Sequence, residues 1–218
     1  MAKDVADNIA RLRQLAVATL SDGCDQIAGQ RGYMDFDIKG RVNARKIVGC
    51  AATVLEVPSS EKFKPELAFD MIDAAAPGAI ICIASGANAN VAVWGELMNA
   101  GAVVRGLEAA VLDGGTRDVE LIRRQTDFPV YARSIVPASS VGRLQTIARD
   151  VPVEVGGVIV YPGDYIVGDE DGVVVIPAAH AAAIIAFAEE AEAVEAEMAK
   201  FIHESGSMRA AVDKFGRA

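Results

Sequence analysis

The residues best suited to chemistry lie between Trp94 and Glu120, in WGELMNAGAVVRGLEAAVLDGGTRDVE. Gly95 stands at a helix start, Asp113-Gly114-Gly115 closes an apolar run, and Arg117-Asp118 opens the next helical stretch. N–H groups in a helix's first turn have no intrahelical partner, so the amides following Gly95 suit a carboxylate. Arg117 supplies a planar fork for a carboxylate or enolate, and Asp118 a hard oxygen ligand for Mg²⁺ or Mn²⁺. The same pair would equally serve as a helix cap and a surface ion pair. Glu96 and Asp113 are weaker candidates that could hold a metal-bound water. A first-turn glutamate gains from the helix dipole anyway, and an aspartate before Gly-Gly is an ordinary turn residue. Trp94, the sole tryptophan, is expected to pack.

Other chemistries have less support. His180 and His203 are the only histidines; both fall in the C-terminal helical region, where nothing suggests a Ser-His-Asp triad. No lysine falls between Lys64 and Lys200, so the strands there offer no Schiff-base amine. Carbonyl chemistry would need a metal Lewis acid instead. Cys24, Cys50 and Cys82 form no CxxC pair and sit beside small or apolar residues, as buried thiols do. With 30 acidic and 21 basic side chains the formal charge is −9, which leaves no surplus to neutralise phosphates, so no nucleic-acid partner is expected. An anionic ligand must therefore find local positive potential. The most apolar stretch, Ala74 to Val93, contains Pro77, Gly78, Gly86 and two asparagines, and cannot span a membrane. The N-terminus lacks a signal peptide's apolar stretch, so a reduced cytosol is the expectation.

Positioning those groups falls to the elements around them. Apolar residues recur at helical spacing from Val5 to Leu20, and a second short helix is expected to open at Ser21-Asp22. Arg31 to Lys39 reads as a surface loop. Ile47 to Val57 reads as a strand, Pro65 opens a helix, and AIICIA is a short apolar run typical of a strand covered on both faces. A helix from about Ala92 to Val104, the strand AAVLDGG, a helix from Asp118 to Gln125 and the strand PVYARS follow. Such alternation argues a largely parallel sheet with its ligand crevice beyond the strands' carboxyl ends, where Asp113 to Asp118 should sit. From Val151 the chain turns to short strands with hairpin-like connections at Pro162-Gly163-Asp164 and Glu170-Asp171-Gly172. It ends in helices over 177–203 and 207–215, the first carrying a solvated glutamate series. One α/β domain with a mixed sheet over 1–218 is expected: N-terminal helices about 4–28, core about 47–176, C-terminal helices about 177–215.

Through GELMNAG, VRGLEAAVLDGGTRD, FPVYARSIVP and VIVYPGDYIVGDEDGVVVIP the sequence resembles the regulator-of-ribonuclease-activity-A-like (RraA-like) family, which includes the 4-hydroxy-4-methyl-2-oxoglutarate aldolases. The similarity runs from roughly Thr19 to Phe215. It implies a swivelling β/β/α domain assembled as a trimer, or as a hexamer of two trimers, with active sites between subunits. It also implies that the amides of Gly95, Glu96, Leu97 and Met98 bind a pyruvyl carboxylate. Arg117 would bind the pyruvyl group and Asp118 a divalent metal, Mg²⁺ or Mn²⁺. The implied activity is a class II pyruvate aldolase acting on 4-hydroxy-2-oxo acids, with oxaloacetate decarboxylation as a side activity. The namesake regulators lack the metal-binding aspartate, so Asp118 favours the catalytic branch. One departure stands out: aldolases of this group tend to carry an acid three positions after that aspartate, where this chain has Leu121 and places its acid at Glu120. A carboxylate from a neighbouring subunit's C-terminal helix also belongs to the aldolase site, and Glu192 and Glu195 are the candidates. Two alternatives stay open: a non-catalytic ribonuclease-regulator-like binding protein, and a metal-enolate enzyme acting on sugar acids.

Overall fold

The computed structural model describes residues 2–216. The N-terminal helical rhythm is realised as two helices, α1 (Ala2–Leu12) and α2 (Val17–Gly23), the second running into one π turn that ends at Gly29 with φ +64°. The break between them is tertiary. The Lys46 ammonium donates to Leu15 O, and Glu192 accepts from Ala16 N at 2.7 Å, so side chains take the groups a continuous helix would pair. Ser21 and Asp22, expected to open a helix, instead lie inside α2, which starts at Val17.

The core follows as β1 (Lys39–Val42), β2 (Ile47–Pro58), α3 (Glu66–Ala74), β3 (Ile80–Ala84), β4 (Ala92–Trp94) and α4 (Glu96–Val104). Then come β5 (Ala109–Thr116), α5 (Val119–Gln125), β6 (Val130–Ile135), β7 (Leu144–Arg149), β8 (Val153–Val155), β9 (Val158–Val160), β10 (Tyr165–Gly168) and β11 (Val173–Ile176). Helices α6 (Ala181–Ser205) and α7 (Met208–Phe215) complete the described chain, and Ser207 Oγ caps α7 by accepting from Ala210 N at 3.1 Å. The main sheet runs β1-β6-β5-β3-β2-β10-β11, with β4 beside β5 and β7 beside β2. Pairs among β2, β3, β5 and β6 are parallel, whereas β1, β7, β10 and β11 join antiparallel, so the sheet is mixed.

Every residue of β3 and β5 is buried, which is why neither strand alternates in the sequence. On one face Val54, Ile81, Ile83 and Leu112 pack with Met71 and Ile72 of α3; on the other Ile80, Cys82 and Val111 pack against Val155 and Val160. The β8–β9 hairpin turns on Gly156-Gly157, both at positive φ (60° and 72°), the backbone a type I′ turn demands. Glu170-Asp171-Gly172 joins the antiparallel pair β10–β11 as expected. Pro162-Gly163-Asp164 does not make a hairpin: it links β9 to β10, which lie in different sheets, and Asp164 holds it by accepting from Tyr161 N and Ala178 N, both at 3.0 Å. Residues 92–94 also depart from expectation, since they pair with β5 as a strand and the helix begins only after Gly95. Among the described residues no helix is long and apolar enough to cross a membrane.

One core residue is out of keeping with its surroundings. Glu56 on β2 is 2% exposed, and among the described residues neither of its carboxylate oxygens has a hydrogen-bond partner. Burial alone pushes its pKa up to about 7 from an ordinary 4.5. The unfolded chain therefore releases this proton near pH 4.5 while the folded chain keeps it to about pH 7. Stability must fall as pH rises through that window, by about 3 kcal/mol at its upper end. Glu56→Gln should raise unfolding stability by about that amount at pH 8 and change it little near pH 4.5, as read by urea melts. A gain that is the same at both pH values would refute the assignment.

Candidate functional site

Strand β4 enters α4 through Gly95, whose backbone is extended (φ −156°). A Cβ at this position would lie 2.7 Å from Asp118 Oδ2 and 3.3 Å from Arg117 Nε, so glycine is what lets the start of α4 approach that pair. Asp118 itself occupies the left-handed region (φ 57°, ψ 27°), rare for a residue with a side chain. It sits at the N-cap position of α5, yet its carboxylate makes no capping bond there. Oδ2 instead accepts from Glu96 N at 3.2 Å and lies 3.4 Å from Arg117 Nε. Among the described residues Oδ1 accepts no hydrogen bond. The helix-cap reading of the pair is thus replaced by one in which Asp118 faces the neighbouring helix's N-terminus.

Arg117 and Asp118 line a cavity of about 340 Å³ together with Trp94, Gly95, Glu96, Leu97 and Met98. The first intrahelical bond of α4 runs from Asn99 N to Gly95 O, which leaves Leu97 N and Met98 N without helical partners. Arg117 is anchored by its own N–H to Trp94 O at 3.0 Å, while its side chain stays about two-fifths exposed. Glu96 Oε1 accepts from Gln125 Nε2 at 3.0 Å, which holds the side chain against α5. Trp94 packs as expected, 1% exposed and stacked on Phe128 at 6.0 Å.

The fold is shared with known proteins, and so is the sequence. The RraA-like family, described as Aldolase/RraA, matches residues 17–175. This chain belongs to it. A protein of Halalkalibacterium halodurans provisionally named 4-hydroxy-4-methyl-2-oxoglutarate aldolase is 30% identical over 181 residues, 81% of this chain and 80% of that protein. Protein DlpA of Legionella pneumophila is 32% identical over 161 residues, 73% of this chain; the RraA-like chain spans about a quarter (26%) of that protein's length. Among solved structures, Streptomyces coelicolor RraAS2, described as an unusual member of the RNase ES inhibitor RraA protein family, has a TM-score of 0.81 at 26% identity. That match covers 89% of this chain and 97% of that one. A protein of Pseudomonas syringae pv. tomato reaches 0.83 at 27% identity, covering 94% and 96%.

Not every predicted site residue of this RraA-like chain gathers at the cavity. Asp113 is 3% exposed and fully engaged: Oδ1 accepts from Arg133 Nε, Arg133 Nη2 and Gly156 N, and Oδ2 from Ala87 N at 2.6 Å. It holds loops together and does not line the cavity. Glu120 pairs with Arg124 on the surface of α5, and Leu121 beside it is exposed. Glu192 and Glu195, the candidates for a neighbouring subunit's site, lie on α6, where Glu192 Oε1 accepts from Ala16 N. His180 and His203 are exposed and do not line the cavity. Conversely, Lys64, Phe69 and Ser140 do line it, and nothing in their local sequence marks them. Lys64 puts an ammonium on a rim that sequence reading had left without one.

Asp118's backbone offers a direct check. A left-handed residue costs about 1 kcal/mol more with a Cβ than without. Asp118→Gly should therefore melt higher than Asp118→Ala by a difference of about 1 kcal/mol, because both lose the carboxylate and only one keeps the strain. Equal melting temperatures would show that the αL backbone relaxes in solution.

Proposed function

We propose that this chain is a divalent-metal-dependent pyruvate aldolase that cleaves 4-hydroxy-2-oxo acids, such as 4-hydroxy-4-methyl-2-oxoglutarate, and decarboxylates oxaloacetate through the same enolate. The observation that carries the reading is Asp118, strained, uncapped and turned onto the start of α4 beside Arg117, with one carboxylate oxygen open. The names of the relatives support it.

The residues fit a hydrated hard ion rather than a protein-enclosed one. Among the described residues no group of three His, Cys, Asp or Glu side chains is placed to hold a metal. A single carboxylate suffices for Mg²⁺, which keeps several waters and completes its shell with substrate oxygens, and Mn²⁺ accepts the same ligands. Asp118 Oδ1 is the ligand we assign, with Glu96 acting through water. When bound, the ion supplies Lewis acidity toward the carboxylate and keto oxygens of the 2-oxo acid.

The chain's own groups do the rest. Leu97 N and Met98 N, at the positive end of α4, hold the substrate carboxylate. Transfer of the C4 hydroxyl proton to a water or hydroxide acting as base breaks the C3–C4 bond, releases the distal carbonyl product and leaves a pyruvate enolate, which takes a proton at C3 from the acid so formed. The Arg117 guanidinium stabilises that charge through its fork and is already placed before the reaction begins. Phe69 and Met98 give the cavity an apolar wall. On this reading the chain acts as one domain and assembles with copies of itself, and Leu97 and Val104, 82% and 85% exposed at i and i+7 of α4, give that helix an exposed apolar stripe for the contact.

Arg117→Lys keeps the charge and loses the fork, so kcat/KM for pyruvate release should fall about 10²-fold or more, with metal affinity little changed. Asp118→Ala should abolish both turnover and the rise in melting temperature that Mg²⁺ or Mn²⁺ gives the wild type. Near wild-type turnover in Arg117→Lys would end the enolate-clamp mechanism. No metal-dependent rise in the wild type, together with no pyruvate from any substrate, would favour a non-catalytic binding protein, the role suggested by the likeness to the Streptomyces protein.

A further inference from the structure

The cavity at Arg117 and Asp118 extends past that pair along β4, whose three residues all line it. One end of β4 meets Gly95 and the start of α4. At the other end Ala92 N donates to Ala138 O at 2.7 Å, and Ala92 pairs with Ser139. A strand rises about 3.3 Å per residue, so Ala92 and Gly95 stand about 10 Å apart.

Charge is divided between these two ends. The carboxylates that line the cavity, Glu96 and Asp118, both belong to the α4 end, beside Arg117. The far end has Lys64 and Ser140 and no acid in its lining. Lys64 belongs there because the chain before α3 lies along residues 139–143: Ser59 N donates to Arg143 O at 2.9 Å, and a Cβ on Gly142 would lie 3.8 Å from Lys62 Cγ. Pro65 restricts the backbone of Lys64, whose carbonyl accepts from Glu66 N at 2.9 Å. The Lys64 ammonium itself has no hydrogen bond or ion pair among the described residues. Ser140 is 8% exposed; its carbonyl accepts from Arg143 N and Leu144 N, but its hydroxyl makes no hydrogen bond among the described residues. A buried hydroxyl without a partner carries a desolvation cost that a ligand oxygen would remove. Arg143 Nη1, donating to Ser139 O at 3.0 Å, adds positive charge behind the same loop. Between the two ends Phe69, Val93 and Val141 line the cavity with apolar surface suited to a carbon chain.

Building on the aldolase reading of this cavity, we propose that Lys64 and Ser140 form a distal subsite that selects 2-oxo acids with a second carboxylate at the far end of the carbon chain. The 2-oxo acid end stays at α4 and Arg117. Pyruvate is too short to touch both ends, so Lys64 and Ser140 act on the part of the substrate that leaves as the second product.

Two ligands that cannot be cleaved test the subsite by calorimetric titration of the full chain in excess Mg²⁺ at fixed ionic strength. 2-Oxoglutarate carries the second carboxylate, and 2-oxopentanoate has a methyl group in its place. The wild type should bind 2-oxoglutarate at least about tenfold more tightly. Lys64→Gln should reduce that preference to about twofold or less, Lys64→Arg should keep most of it, and Ser140→Ala should lower it several-fold. Absence of saturable binding by either ligand, equal affinity for the two in the wild type, or a preference that survives Lys64→Gln would each overturn the subsite. Pyruvate release from 4-hydroxy-4-methyl-2-oxoglutarate scores the aldolase reading separately. No pyruvate with the preference intact rejects the aldolase and upholds the subsite; pyruvate without the preference does the reverse.

Discussion

The buried pair Asp113–Arg133 is the interaction on which the rest of the site region depends. Asp113 lies within the buried strand β5, and its two oxygens collect donors from β6, from the β8–β9 turn and from the loop after β3. Arg133, with a side chain only 6% exposed, reaches onward to Asp35 and Asp37, which anchors the segment before β1. Burial works against the Arg133 charge, and bonds to Asp35, Asp113 and Asp37 more than restore it. A buried ion pair adds little when compared with an apolar pair of the same shape, but breaking one half of it is severe, on the order of 3–5 kcal/mol. What such a pair contributes is uniqueness: five chain segments meet at one ion pair in a single arrangement.

That junction holds the middle of β5, and the end of β5 delivers Arg117 and Asp118. Past Asp113 the strand carries two glycines packed so closely that a Cβ on Gly114 would lie 2.8 Å from Ser85 Oγ, and one on Gly115 2.4 Å from Val136 Cγ1. With no side chains between, β4 can lie against β5 and bring Gly95 up to the Arg117-Asp118 pair. The site is therefore a chain of close approaches, each made possible by a missing Cβ. Backbone strain at Asp118 marks where those constraints meet a functional requirement.

Charge placement follows a similar economy across the molecule. The chain is acidic overall, yet some of its cations are held in place: Arg133 is buried among three aspartates, and Arg117 stands beside the start of α4. In a negative field, an anion is captured where positive groups are fixed in advance. The Arg117-Asp118 cavity offers that condition through a helix terminus and a guanidinium.

The local conformations were largely readable from residue order. Unbroken apolar runs marked β3 and β5, Pro65 marked the start of α3, and Gly95 with Arg117-Asp118 marked the site. Strand β7 was not readable, because LQTIAR interleaves polar residues and lies at the sheet's margin, where only β2 pairs with it. The same holds for the break between α1 and α2, which Lys46 and Glu192 impose from 31 and 176 residues away. Residue types alone set Asp118 above Glu96 and Asp113 but left its role open between a metal ligand and a helix cap. The fold engages both oxygens of Asp113, gives Asp118 no capping bond on α5 and leaves its Oδ1 accepting no hydrogen bond among the described residues. Helix and strand preference are properties of neighbours in sequence, so the sequence determines them; a carboxylate's availability depends on the donors that reach it, and those come from distant segments that only packing brings together.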